Sequence, residues 1–289
     1  MKALLALAAA GSLAIVTIAA GPGVTSEAAA ATARASDKQL LSYGSDRLQR
    51  IDFWAGSGRD APLVVFVHGG GWKRGDKRMM DGSAKLSHWR SLGYAVASVN
   101  YRLVPDHTVE DQAADLSSAV AYLKVNAARL GFDGKRIALV GHSAGAHLVA
   151  LVGTDPAYFR AAGLSLADVR GIVPLDGACY DVGAQVAEGN RVMRKTYVQA
   201  FGTDPEQQRR LSPTHQAAAP NAPEFLILHV DRDDGESQSR ALAAALRRAG
   251  TPATVHGFAG RGERGHREIN RDLGEPDYPA TPVVADFLK

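Results

Sequence analysis

Short apolar runs recur along the chain from residue 63 onward and are separated by longer stretches with helical spacing. Each run is continuously apolar rather than alternating, which is typical of β-strands covered on both faces of a sheet. The pattern predicts strands at LVVFV (63–67), YAVASV (94–99), RIALVG (136–141), GIVPL (171–175), FLILHV (225–230) and TVHGF (254–258).

The intervening stretches predict helices. Residues 109–130 place apolar side chains at helical spacing, and the stretch SQSRALAAALRRAG (237–250) ends in two arginines and a glycine, a typical C-terminal stop. Another helix is expected after residue 143, and a closing one at 283–288. This alternation predicts an α/β fold with a mostly parallel, doubly wound sheet. The segments SYG (42–44) and LQRIDFW (48–54) predict an antiparallel hairpin at the N-terminal edge of the sheet.

Two segments do not fit the alternation. Residues 177–223 are too long for a simple loop, and we expect them to form a small cap insertion. The first residues, MKALLALAAAGSLAIVTIAAGPG, combine one lysine with an apolar run and resemble a secretory signal peptide; a retained membrane anchor is the alternative. We therefore expect a signal peptide with an Ala-rich linker at 1–36, one domain at 37–289, and an exported protein without stable membrane association after cleavage.

Composition narrows the possible functions. The 289 residues are 46% hydrophobic and 22% charged, as in a globular protein with a full core. The net charge of +3 is mild and no nucleic-acid-binding motif accompanies it, so no nucleic-acid partner is expected. Cys179 is the only cysteine, which excludes an intramolecular disulfide and a thiolate metal cluster.

The stretch LVGHSAGAHLVA (139–150) places Ser143 between Gly141 and Gly145. A serine alone can cap a helix, but capping requires neither glycine. Glycines without a Cβ let a strand run directly into a helix through a strained turn. G-x-S-x-G is the pattern of a nucleophile elbow, which presents a serine hydroxyl above the edge of a sheet.

Three consecutive glycines follow the first predicted parallel strand, in HGGGW (68–72). Their backbone N–H groups are unshielded and can donate to a developing negative charge, as the oxyanion of acyl transfer requires. The Gly-Lys-Ser/Thr ending of a phosphate-binding loop is absent. We expect His68 to steady this loop.

HGGG after one strand and G-x-S-x-G after a later strand form a specific combination. Together with YGSDRLQRIDFW, VNYRLVP, LSPTHQAAAPNAPEFLILH and GHREINRDLG, they make the chain resemble an α/β-hydrolase of the esterase/lipase group. The resemblance covers about residues 40–289 and lies near the carboxylesterase and feruloyl-esterase-like branch, which also contains kynurenine formamidases. It implies the α/β-hydrolase fold.

The same resemblance implies site residues. Ser143 matches the nucleophile, the N–H of Ala144 matches one oxyanion donor, and Gly70 and Gly71 match the others. His142, beside the nucleophile, is expected to line the substrate pocket.

The family's chain order of serine, acid and histidine leaves His256 or His266 as the base. His256 lies inside a predicted strand, where we expect a packed core residue. His266 lies in AGRGERGH, which predicts a Gly-rich loop at the carboxyl edge of the sheet, and is therefore the expected base.

The triad acid is expected in the acidic turn after FLILHV, which reads DRDDGE (231–236). The family's spacing favours Asp234, followed by Gly235 at a sharp turn, and Asp233 stays an open alternative. Glu236 is expected to open the next helix, where a carboxylate interacts favourably with the helix dipole.

We expect a shallow pocket formed by Trp72 at its mouth, by the 177–223 insertion and by Tyr180, because little chain precedes residue 40 to build a helical lid. Such a pocket favours short acyl groups. Four arginines near the expected base could favour an anionic ester or could form a solvated basic surface: Arg261, Arg264, Arg267 and Arg271.

The sequence therefore predicts a serine hydrolase that cleaves small carboxylic esters through an acyl-enzyme, with no cofactor and no metal. An arylformamidase or another amide hydrolase is the alternative enzyme, since the same triad serves both reactions. A binding protein that keeps the fold without catalysis is disfavoured, because the nucleophile, the glycine loop and the base are all present. The oligomeric state is not indicated by any of these features.

Overall fold

The computed structural model describes residues 38–289, so the expected signal peptide and linker at 1–36 lie outside the described residues. Eight strands form one sheet: β1 (Lys38–Ser42), β2 (Arg50–Trp54), β3 (Ala61–Val67), β4 (Ala95–Val99), β5 (Phe132–His142), β6 (Gly171–Leu175), β7 (Phe225–Asp231) and β8 (Ala253–Arg261).

Twelve α-helices lie in the described part of the chain: α1 (Ala84–Ser91), α2 (Val109–Val125), α3 (Ala127–Leu130), α4 (Ala144–Thr154), α5 (Pro156–Ala161), α6 (Val182–Glu188), α7 (Arg191–Phe201), α8 (Pro205–Arg210), α9 (Pro213–Gln216), α10 (Asp233–Arg248), α11 (Gly262–Asp272) and α12 (Ala280–Leu288). None of the helices within residues 38–289 combines the length and the apolar character needed to cross a membrane.

The strand order is β1-β2-β4-β3-β5-β6-β7-β8. Strands β1 and β2 pair antiparallel with each other, and β2 pairs antiparallel with β4, whereas all later neighbours are parallel. The prediction of a mostly parallel sheet with an antiparallel N-terminal edge is therefore confirmed. All six strands predicted from apolar runs are present within a few residues of their expected bounds.

The central strands are apolar throughout because each carries side chains into two cores. In β3, Leu63, Val65 and Val67 belong to the core on one face of the sheet. Val64 and Phe66 belong to the core on the other face. The edge strand β8 differs, since most of its residues are exposed or half-buried.

Two predictions about the C-terminal part of the chain are wrong. His256 was expected to pack in the core, but it is exposed on the edge strand β8, where its ring stacks against Phe258 with centroids 6.3 Å apart. His266 was expected on a Gly-rich loop, but it lies in helix α11. The turn into α11 is tight, because a Cβ on Gly265 would approach the carbonyl carbon of Gly260 to 2.4 Å.

The segment 177–223 contains the four short helices α6 to α9. Asp181 caps the first of them through a hydrogen bond from the N–H of Ala184, and Asn190 caps the second. Helix α7 buries Tyr197, Ala200 and Phe201 on one side, at helical spacing. The segment is therefore a packed part of the molecule, and α7 lies against the loop that follows β3.

Candidate active site

Ser143 stands on a sharp turn between β5 and α4. Its backbone φ is 57°, a left-handed value that is rare for a residue with a side chain and costs on the order of 1–3 kcal/mol. The glycines on either side permit the turn: a Cβ on Gly141 would lie 2.2 Å from the carbonyl oxygen of Gly145, and one on Gly145 would lie 2.1 Å from that of Val67. Each position therefore excludes any side chain.

The loop after β3 brings its glycines beside this turn. A Cβ on Gly69 would lie 2.8 Å from the Cβ of Ser143. Gly70 and Gly71 have φ values of 130° and 61°, and within residues 38–289 their N–H groups donate to no protein acceptor. Ala144 is the first residue of α4, where an N–H group has no partner inside the helix.

His68 supports the glycine loop, as expected. Its ring stacks on Tyr101 with centroids 4.5 Å apart, and its Nδ1 lies 2.8 Å from the carbonyl oxygen of Gly69. The hydroxyl of Tyr101 donates to the carbonyl oxygen of His68 at 2.8 Å. Burial lowers the pKa of His68, so the imidazole is neutral and its Nδ1–H is the donor in the contact with Gly69.

His266 projects from the first turns of α11 into the same cavity as Ser143 and the glycine loop. Its side chain is 12% exposed. The neighbouring His142 fixes the start of this helix, since His142 Nε2 lies 2.9 Å from the carbonyl oxygen of His266 and the centroids of the two imidazole rings lie 4.5 Å apart. Burial, together with the neighbouring His266, lowers the pKa of His142 to about 3, so it remains neutral and donates this hydrogen bond.

The acid that contacts His266 is Asp176, which directly follows β6. Its Oδ2 lies 2.5 Å from His266 Nδ1, and the side chain is fully buried. Its Oδ1 accepts from the N–H of Val230 at 3.0 Å, and its own N–H donates to the carbonyl oxygen of Leu228 at 2.7 Å. The neighbouring strand β7 thus holds Asp176 through both its carboxylate and its backbone.

Burial by itself would raise the pKa of Asp176, but the hydrogen bond from His266 and the positive charge of Arg232 outweigh it. The pKa of this carboxyl therefore lies below its usual value of 3.8. Asp176 is ionised and can orient the imidazole of His266 through its Nδ1–H.

The structure corrects the expected position of the acid. Asp234 lies in the first turn of α10, where its Oδ2 accepts from Gln185 Nε2 at 3.0 Å and its Oδ1 accepts from the N–H of Gly235. It lines a neighbouring cavity and not the one that contains Ser143. The helix begins at Asp233, earlier than expected, and this turn directs the Asp234 side chain toward the 177–223 segment.

The cavity around Ser143 has a volume of about 430 Å³. Both expected pocket residues, Trp72 and His142, line it. Trp72 is not at the mouth, however: it is 2% exposed, and its Nε1–H donates to Nδ1 of His147 at 3.3 Å. Tyr180 is fully buried and does not line the cavity.

Helix α7 of the insertion forms one side of this cavity. Met193, Thr196 and Tyr197 line it, and a Cβ on Gly71 would lie 3.1 Å from Cγ2 of Thr196. The expectation that residues of the 177–223 segment contribute to the pocket therefore agrees with the structure. The sequence pattern did not reveal which helix does so, although Tyr197, Ala200 and Phe201 carry the helical spacing.

Two side chains of the site were not identified from the sequence. Asp176 follows an apolar strand in LDG, and its position at a strand end is the signal that could have found it. Arg232 follows β7, and its Nη1 lies 3.2 Å from His266 Nδ1 while its Nε lies 3.6 Å from Asp176 Oδ2. Nothing in the sequence around Arg232 distinguishes it from the other arginines of the region.

Comparison with known proteins places the chain in a family. The BD-FAE family model matches residues 51–246. Esterase LipC of Mycobacterium tuberculosis is 32% identical over 242 residues, which cover 76% of this chain and 60% of the relative. Esterase LipQ of the same organism is 33% identical over 233 residues, which cover 74% of this chain and 53% of the relative. The chain spans about half the length of the curated relatives it matches.

Solved structures show the same fold. Esterase B from Lactobacillus Rhamnosis superimposes with a TM-score of 0.70 at 21% identity and covers 91% of each chain. An esterase of Pyrobaculum calidifontis superimposes with a TM-score of 0.72 at 21% identity and covers 91% of this chain and 89% of its own. The chain belongs to the BD-FAE family and has the α/β-hydrolase fold of the esterase/lipase group.

Proposed function

We propose that the protein is a serine hydrolase that cleaves carboxylic esters through an acyl-enzyme. One observation carries the proposal: a single cavity combines Ser143 on its strained turn, the glycine loop, and His266 bound to the buried Asp176. The esterase names of the curated relatives support the same activity.

In the first half of the reaction, Ser143 Oγ attacks the ester carbonyl while His266 Nε2 accepts the hydroxyl proton. Asp176 accepts the hydrogen bond from Nδ1–H, which leaves Nε2 unprotonated and free to act as the base. Asp176 stays ionised, and its charge stabilises the imidazolium that forms. The imidazolium then protonates the leaving alcohol, and the acyl group remains on Ser143.

The tetrahedral intermediate carries a negative charge on the former carbonyl oxygen. The N–H groups of Gly70, Gly71 and Ala144 are the proposed donors, because the first two have no protein acceptor and the third lies at a helix N-terminus. Removing one such donor typically costs about 100- to 1000-fold in rate. Water then attacks the acyl-enzyme, and His266 serves as the base again.

The proposal is tested by labelling with a fluorophosphonate and by hydrolysis of para-nitrophenyl butyrate. We expect the wild type to be labelled and the Ser143→Ala variant to be neither labelled nor active, while its unfolding midpoint stays close to that of the wild type. His266→Ala should lose activity as well. His256→Ala is the matched control, since this histidine is exposed on β8 outside the cavity.

More than a few per cent of wild-type turnover in folded Ser143→Ala would refute the proposed nucleophile. An aryl formamide in the same substrate panel measures the amide hydrolysis that the sequence left open.

A further inference from the structure

The cavity that contains Ser143 is rich in cationic side chains. Those that line it are Lys73, Arg74, Arg232 and Arg267, and the only carboxylate among its lining residues, as far as residues 38–289 are described, is Glu263. The chain as a whole carries nearly equal numbers of basic and acidic residues, 33 and 30. The cations are therefore concentrated at this site rather than spread evenly.

Three of these cations have no acidic partner. Lys73 Nζ contacts only neutral oxygens, those of Thr196 at 3.4 Å and Gln199 at 3.3 Å. Arg74 and Arg267 are exposed, and neither forms a salt bridge with another residue of the described chain, 38–289. Arg232 differs, because its Nε lies 3.6 Å from carboxylate oxygens of both Asp176 and Asp234.

Of the four arginines between residues 261 and 271, the three that do not line the cavity are paired. Arg261 contacts Asp231 at 2.9 Å, Arg264 contacts Glu268 at 2.6 Å, and Arg271 contacts Asp272 at 2.6 Å. Among these four arginines, the one without a carboxylate partner, Arg267, is the one that lines the cavity.

These cations lie on two sides of the reacting centre. The chain at Arg74 folds back on the glycine loop, since a Cβ on Gly70 would lie 2.0 Å from the carbonyl oxygen of Arg74 and 3.1 Å from its side-chain Cγ, and Arg74 lines the cavity. Arg267 follows His266 on α11. An anionic group on either part of a bound ester would therefore lie near a positive charge with no protein counter-ion.

We propose that this cavity selects esters that carry a negatively charged group, a carboxylate or a phosphate, in addition to the ester bond. The proposal rests on the proposed ester hydrolase function and names its substrate class. A positive field also stabilises the oxyanion of any ester, but that effect is the same for neutral and anionic substrates. The ratio between two matched substrates therefore isolates the contribution of the added charge.

Two matched pairs test the proposal. For the alcohol part, para-acetoxybenzoate is compared with para-acetoxyacetophenone, in which a methyl ketone replaces the carboxylate. For the acyl part, para-nitrophenyl hydrogen adipate is compared with the methyl ketone of the same shape. Each kcat/KM is divided by the rate constant of hydroxide hydrolysis of the same compound, which removes differences in intrinsic reactivity. We expect the anionic member of at least one pair to be favoured by about tenfold at low ionic strength.

Salt and charge variants identify the source of this preference. It should shrink as the Debye length falls from about 30 Å at 0.01 M salt to about 3 Å at 1 M. The double variant Arg74→Gln/Arg267→Gln should lower the anionic-to-neutral ratio by about 3- to 10-fold, as expected for two exposed charges in high dielectric. The matched control is Arg264→Gln/Arg271→Gln, which removes the same charge from residues that lie outside the cavity and should leave the ratio unchanged.

A ratio at or below one in both pairs, or a ratio that the cavity variants do not lower relative to the control, would overturn the proposal. Either result would leave the hydrolase function intact if neutral esters are cleaved and Ser143→Ala abolishes their cleavage. If Ser143→Ala cleaves both members of each pair like the wild type, the hydrolase mechanism itself fails.

Discussion

Replacing Asp176 by asparagine tests the part of the site that the sequence did not predict. The change keeps most of the local structure: Asn Oδ1 can still accept from the N–H of Val230, and asparagine tolerates the backbone φ of 45° better than most residues. It removes one interaction, because an amide NH₂ cannot accept the Nδ1–H of His266. The amide instead favours the tautomer that carries its proton on Nε2.

The expected loss follows from that tautomer. A histidine protonated on Nε2 cannot accept the proton of Ser143 Oγ, and the imidazolium formed later has no carboxylate to stabilise it. In serine hydrolases this substitution costs up to about 10⁴-fold in turnover, which corresponds to about 5.4 kcal/mol of transition-state stabilisation. Because Asp176 is completely buried and its Oδ2 lies 2.5 Å from His266 Nδ1, we expect a loss of turnover at the upper end of that range.

The assay measures kcat and KM for para-nitrophenyl butyrate, with urea unfolding of each variant to exclude loss of the fold. Asp234→Asn is the matched control, since Asp234 follows the adjacent strand, accepts from Gln185 Nε2 at 3.0 Å and lies outside the cavity of Ser143. We expect it to lose less than about tenfold, because it makes no contact with the imidazole. Asp233→Asn belongs in the same set as the second residue favoured by the sequence.

The ranking of these variants decides the assignment. A folded Asp176→Asn protein that retains more than about a tenth of wild-type kcat, together with a loss of about 10³-fold or more in Asp233→Asn or Asp234→Asn, would return the acid to the turn after β7. A small effect in all of them would show that His266 is not oriented by a carboxylate at all.

The remaining predictions concern stability, substrate size and location. Burial lowers the pKa of His142 to about 3 and that of His147 to about 4. In the unfolded chain both histidines bind a proton below about pH 6.5, so the free energy of unfolding should fall by up to about 4 kcal/mol from pH 7 to pH 5. Equal urea midpoints at the two pH values would contradict this. Helix α7 packs on the glycine loop through Thr196 and Gly71 and so restricts the space for a long acyl chain. Acetate and butyrate esters should therefore have a higher kcat/KM than decanoate esters, and the reverse order would be evidence against a restricted cavity. We also propose that the protein is exported and that the mature chain begins after residue 20; N-terminal sequencing that finds an intact Met1 in a soluble cytoplasmic fraction would refute this.

The sheet was predictable because its central strands are buried on both faces and therefore read as uninterrupted apolar runs. The nucleophile turn and the glycine loop were predictable for a steric reason: a Cβ would lie 2.2 Å or less from a backbone oxygen at Gly141 and Gly145 in the turn and at Gly70 in the loop, so each position tolerates only glycine. The contact between Gly141 and Gly145 is local in sequence and can be recognised without knowing which elements are neighbours in space. The contact between Gly145 and Val67 is not local, since it joins the turn to the neighbouring strand β3.

Helix α11 could not be predicted in the same way. Its sequence, GERGHREINRD, contains two glycines and one buried aliphatic residue, Ile269, so both propensity and pattern favour a loop. Its contacts with the rest of the fold decide the outcome: Ile269 is fully buried in the core, and Gly265 packs directly on Gly260 at the end of β8. Tertiary packing of this kind regularly overrides weak local preference.

The acid illustrates a limit that sequence order alone imposes. Strands β6 and β7 are parallel neighbours, so their carboxyl ends lie side by side, and a carboxylate after either one can reach the same imidazole. The DRDDGE turn after β7 offers four acids and LDG after β6 offers one, which made the first location the better prediction. The early start of α10 directs Asp234 toward Gln185, whereas Asp176 is held by two hydrogen bonds to β7. With the carboxylate supplied by β6, the end of β7 can place a cation, Arg232, against the His266–Asp176 pair. The ends of β6 and β7 thus both contact His266, one with a carboxylate and the other with a guanidinium.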